Sequence, residues 1–96
     1  MLSTDEARRI GIRACIDKIG YEFCKLHADN STSAYGENDG VMNCFVGISD
    51  KPAPVYDISK VDELILTSGE EWPYSASCNV KMSDGTIEFL ECRIPS

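Results

Sequence analysis

The stretch Ser3 to His27, STDEARRIGIRACIDKIGYEFCKLH, decides the fold, because it is the one long helix the sequence offers. Ser3 and Glu6 have the Ser-x-x-Glu spacing of a capping box, in which each residue satisfies an amide the other leaves free. Asp5 and Glu6 set negative charge at the positive end of the helix dipole. Ile12, Cys15, Ile16, Ile19, Phe23 and Leu26 then recur at spacings of three and four. They form an apolar stripe about 100° wide, which needs a surface to cover. Ala7, Ile10, Ala14 and Tyr21 make a weaker cluster on a second face, and Lys18 and Glu22 are spaced to pair on the wetter side.

Gly20 admits two readings. It can end a shorter helix, leaving Tyr21 to Leu26 as a strand, or it can sit inside a continuous one at a cost of about 1 kcal/mol. Phe23 and Leu26 extend the stripe in phase, which favours the continuous helix.

What the helix covers is read from the rest of the chain. Ala28 to Ala34 is polar and turn-prone and leads into a strand. Asp39-Gly40 is a strong hairpin signal. A turn there sets Ser33 opposite Val46, Ala34 opposite Phe45 and Tyr35 opposite Cys44. Met42, Cys44, Val46 and Ile48 then share one face, with Val41 and Phe45 on the other, the pattern of a central strand. Ser49 to Pro54 is a proline-punctuated loop. Val55 to Ile58 reads as a short strand, Lys60 to Leu64 after Ser59 as a possible helical turn, and Glu63 to Thr67 as a strand. Ser68 to Glu71 is a loop from which Trp72-Pro73 re-enters structure.

Asp84-Gly85 suits a second two-residue hairpin loop, pairing Met82 with Ile87, Val80 with Phe89 and Lys81 with Glu88. The same register puts Cys78 opposite Glu91, Ala76 opposite Arg93 and Ser77 opposite Cys92. The expectation is an α+β fold of one domain over residues 1–96, a long N-terminal helix on a curved antiparallel sheet of four to five strands. In the order of its elements this outline resembles the cystatin-like and ketosteroid-isomerase-like folds. The resemblance is one of architecture and implies no function.

Composition narrows the function classes. Nine basic against sixteen acidic residues give a net charge of −7, which repels phosphate backbones and anionic lipid surfaces. Neither a nucleic-acid nor a membrane partner is expected. No apolar run approaches the roughly 20 residues of a bilayer span, and Met-Leu-Ser-Thr-Asp-Glu lacks the features of a signal peptide. A cytoplasmic protein with reduced cysteines is the expectation. Arg8, Arg9 and Arg13 read as a solvated helix face.

Candidate chemistry is sparse. Cys24 and His27 are three apart on the helix and are the weak candidates for metal ligands, but no further ligand pair completes a site. The predicted register places Cys78 and Cys92 on opposite faces, and Cys15 and Cys24 point apart on the helix, so the thiols read as scattered packing residues and not as a cluster. Glu70 and Glu71 beside Trp72 read as a loop charge pair. Glu91 and Arg93 fall on the face assigned to the core, where they either emerge to solvent or, with Tyr74 and Cys78, line the mouth of a pocket between helix and sheet. Gly36, Gly40, Gly69 and Gly85 stand singly in turns, so no cofactor is expected.

The composition therefore points to a small acidic protein-interaction module, for instance of the inhibitor or immunity type, with an unidentified protein partner. A homodimer through a sheet edge is compatible with it. The alternative is a small-molecule-binding domain or enzyme with its pocket between helix and sheet.

Overall fold

The computed structural model describes residues 1–50 and 72–95. Helix α1 (Thr4–Ile19) opens on the capping box: Ser3 accepts from the Glu6 amide at 3.1 Å, and the Ser3 amide donates to Glu6 at 3.3 Å. Gly20 ends it, with φ +128, a conformation a side chain would resist. The chain re-enters a helix at once as α2 (Tyr21–Leu26), so the uninterrupted helix expected from the sequence is broken, and neither is Tyr21 to Leu26 a strand. The break throws the stripe out of phase. Phe23 still packs on the core, but Leu26 is 77 % exposed. The expected Lys18–Glu22 pair spans this break, and the Lys18 ammonium instead lies over the Phe89 ring, 5.1 Å from its centre.

A turn of 3-10 helix (Ala28–Asn30) leads into a four-stranded antiparallel sheet, β1 (Ser31–Asn38), β2 (Val41–Ile48), β3 (Tyr74–Lys81) and β4 (Ile87–Arg93), in the order β1-β2-β3-β4. The sheet is open and curled. The short strand, helical turn, strand and loop read between Val55 and Glu71 lie outside the described residues, as do Glu70 and Glu71.

Asp39 (φ 51) and Gly40 (φ 76) form the two-residue hairpin turn with both φ values positive, and the β1–β2 register follows as expected: Ser33 meets Val46, Ala34 meets Phe45 and Tyr35 meets Cys44. β2 is a central strand. Its Met42, Cys44, Val46 and Ile48 are buried together with Ala76, Cys78 and Val80 of β3. The helix meets this surface with Ala7, Gly11, Cys15 and Ile19, one residue per turn, while Ile12 and Ile16 flank the contact. The true line of contact is thus shifted toward the smaller residues. A Cβ at Gly11 would enter the Cys44 sulfur and come within 3.0 Å of Val80, so glycine is what lets the helix lie this close.

The β3–β4 hairpin corrects the expected register. Val80 pairs with Ile87, Cys78 with Phe89 and Asn79 with Glu88, and the loop closes from Lys81 to Thr86. Met82 is taken out of the ladder because its amide donates to Gly40 in the neighbouring turn and its carbonyl accepts from Leu2. A slip of two residues keeps each face intact. Further along, the register changes again between Ala76 and Cys78, with Leu90 and Glu91 opposite Ser77, a bulge whose amide and carbonyl at Glu91 both bond the Ser77 hydroxyl at 3.2 and 3.3 Å. Ala76 therefore meets Cys92, and Ser75 meets Arg93. That odd step puts Glu91 on the outer face and Cys92 on the inner one, the reverse of the faces expected, and Glu91 emerges to solvent, one of the two outcomes expected of it.

Candidate functional site

Because α1 sits over β2 and β3, β1 projects beyond it, and a groove of about 420 Å³ opens between the helices and the β1–β2 half of the sheet. Its apolar walls are Ile12 and Ile16 of α1, Cys24 of α2, and Val46 and Ile48 of β2. Tyr21, Lys25 and Ala28 close one side, and Ser31, Thr32 and Ser33 of β1 form the other. Arg13 stacks on the Tyr21 ring, its guanidinium carbon 4.8 Å from the centre, and fixes that side. At the far end of β1, Thr4 donates to Glu37 at 2.9 Å and Arg8 lies over Tyr35 at 5.4 Å, so the strand is tied to the helix there and open at the groove.

All eight residues of β1 are exposed, and among the described residues its outer edge carries no strand. An edge of this kind presents backbone amides and carbonyls able to accept another strand. The three arginines of the helix are already engaged with acids: Arg8 and Arg9 pair with Asp5 at 2.7 and 3.0 Å, and Arg13 with Asp17 at 3.0 Å.

Of the residues singled out from the sequence as site candidates, Cys24 alone lines this groove. Tyr74 packs edge-on against Phe23, ring centres 5.0 Å apart, and donates to Asp50 at 3.2 Å, whose charge raises the phenol's pKa. Cys78 is fully buried. Glu91 and Arg93 reach each other at 3.5 Å, with the Glu91 side chain 74 % exposed. Cys24 is buried and directs its thiol to the Ile16 carbonyl at 3.8 Å, while the His27 ring lies against Phe23, centres 4.7 Å apart. Among the described residues no group of three or more histidine, cysteine or acidic side chains is placed to hold a metal.

The thiols do cluster, against the expectation. Cys15 donates to the Cys78 sulfur at 3.6 Å, Cys78 donates to the Gly11 carbonyl at 3.5 Å, and Cys44 is the cross-strand partner of Cys78. All three are fully buried, and none of the five cysteines is in a disulfide. Burial, more than any neighbour, raises all three, Cys44 up to about 11, so the cluster is held as neutral thiols. The cluster escaped the sequence reading because Cys44 and Cys78 meet through the β2–β3 pairing, which joins strands remote in sequence and which no hairpin signal fixes. Gly11 was missed because an isolated helical glycine carries no signal of its own, and Ser31 to Ser33 because a polar run before a strand resembles any loop.

The chain matches no protein-family model, and no curated protein or solved structure shows significant similarity to it. Among the described residues no helix is long and apolar enough to cross a membrane.

Proposed function

We propose that the protein is a non-enzymatic binding module that takes up an extended segment of a basic partner protein along β1, in a cytoplasmic setting. The observation that carries this reading is the groove of about 420 Å³ lying directly beside an exposed edge strand. A strand added to β1 would bond through its backbone, while every second side chain would enter the groove toward Ile12, Ile16, Val46 and Ile48. The net charge of −7 favours a basic segment with apolar residues at alternate positions over a second copy of the same acidic chain.

An eight-residue alternating Lys-Val peptide, titrated against isotope-labelled protein, tests the proposal. The expected result is shifts in the β1 amides and in the methyls of Ile12, Ile16, Val46 and Ile48, weakened by salt. Equal binding of a Glu-Val peptide, or shifts confined to β4, would reject it. A second reading, a small amphipathic ligand, is favoured by the volume and by an apolar floor with Tyr21, Lys25 and serine hydroxyls at the rim. Such a ligand would shift the groove methyls and leave the outer amides of β1 unmoved.

A further inference from the structure

All five cysteines lie on the helix side of the sheet, Cys24 apart from the rest at the groove. Cys15, Cys44 and Cys78 are inside, and Cys92, half-buried and opposite Ala76, sits at the margin of the same core. Helix sulfurs seldom reach strand sulfurs, because side chains normally hold a helix well off a sheet. Here Ala7 and Gly11 remove that spacer, and the Cys15 and Cys78 sulfurs are in contact at 3.6 Å. A disulfide bond is about 2.05 Å long, about 1.5 Å shorter than this contact.

We propose that Cys15 and Cys78 are a reversible dithiol–disulfide couple, oxidised by a low-molecular-weight disulfide such as oxidised glutathione, whose bond bolts α1 to β3. Exchange begins at Cys92, the one of the four thiols with solvent contact. Its sulfur gives up its proton to water and attacks the oxidant's sulfur–sulfur bond, and one small thiolate leaves and is protonated. The Cys78 sulfur, diagonal to Cys92 on the same face, loses its proton and displaces the second small thiol from Cys92. Cys15 then loses its proton, attacks Cys78, and releases Cys92 as a thiol. In sum, two protein thiols and one small disulfide become one protein disulfide and two small thiols. The Cys15 and Cys78 sulfurs are oxidised and the two oxidant sulfurs reduced.

The test equilibrates the reduced full chain with oxidised glutathione in the absence of denaturant, blocks free thiols with an alkylating agent, and maps the linkages by mass spectrometry. A Cys15–Cys78 cross-link is expected, with Cys24 and Cys44 alkylated and a thermal midpoint that rises on oxidation and falls again with dithiothreitol. Cys44→Ala should form the same bond, and Cys92→Ser should form it at least tenfold more slowly. A Cys44–Cys78 or Cys78–Cys92 linkage at equilibrium, glutathione arrested on Cys92, or a bond that forms only in urea would overturn the proposal. An unchanged rate in Cys92→Ser would overturn the relay.

Discussion

Gly11 of α1 and Cys44 of β2 stand so close that a methyl group at position 11 would occupy the space of the Cys44 sulfur. Alanine is the better helix former by about 1 kcal/mol, yet overpacking a tight core costs about 1–3 kcal/mol. Gly11→Ala is expected to destabilise the protein in urea titrations. Adding Cys44→Ala should recover most of the loss, because the two changes share one space. A Gly11→Ala protein more stable than the parent would show that the helix can retreat from the sheet without penalty.

The Ser77 hydroxyl holds both backbone groups of Glu91 at the β4 bulge. Ser77→Ala is expected to cost about 1 kcal/mol and to speed hydrogen exchange at the Glu91 amide more than at Glu88, which lies in the regular part of the ladder.

At the acid end, Asp5 is held below its ordinary value of 3.8 by Arg8, and Asp84 is held low by the Thr86 amide that it bonds at 2.9 Å. A carboxylate lowered in the folded state contributes stability above its unfolded pKa, and that contribution is lost as pH falls through the folded value. Thermal midpoints of the parent and of Asp84→Asn, measured from about pH 6 down to about pH 2, should converge at the acid end.

At the alkaline end the sign reverses. Cys44 ionises near 9.0 when unfolded and at about 11 when folded, and burial raises Cys15 and Cys78 in the same direction. Their stabilisation is complete below the unfolded value and declines as pH rises toward the folded one. The slope is up to about 1.4 kcal/mol per pH unit for each such thiol. Under reducing conditions, urea midpoints of Cys44→Ala should fall less steeply above about pH 9 than those of the parent.

The two Asp-Gly turns explain what could be read from the chain and what could not. Asp39-Gly40 decides its hairpin locally, and the register of β1 on β2 follows from two residues that both accept positive φ. Asp84-Gly85 carries the same chemistry, but Met82 is held by Gly40 and Leu2, which are remote in sequence, and the loop widens. Local propensity yields there to tertiary hydrogen bonds. The two-residue slip left the faces as they were; the bulge opposite Ser77, which no local signal announces, carried Glu91 to the outer face and Cys92 to the core margin, and the thiol cluster rests on a β2–β3 pairing between strands remote in sequence. The capping box and the fold class survived, because they rest on neighbouring residues and on overall patterning. The groove was half visible, since Ile12 and Ile16 belong to the apolar stripe, while its β1 wall is built from residues with no distinguishing chemistry.

Trp72 lies over Gly47, where an added Cβ would come within 2.5 Å of the indole. Gly47 alternates with Val46 and Ile48, so the indole rests on the side of the sheet away from the helix. It is the chain's one tryptophan, and among the described residues the fully enclosed side chains opposite it include no aromatic ring. Tryptophan emission therefore watches the back of the sheet, while the tyrosines Tyr21, Tyr35 and Tyr74 lie against the helices. A change in the tryptophan emission on heating would record the indole lifting from its glycine, while loss of far-ultraviolet helical ellipticity would record the parting of α1 from β3, and the two curves need not share a midpoint.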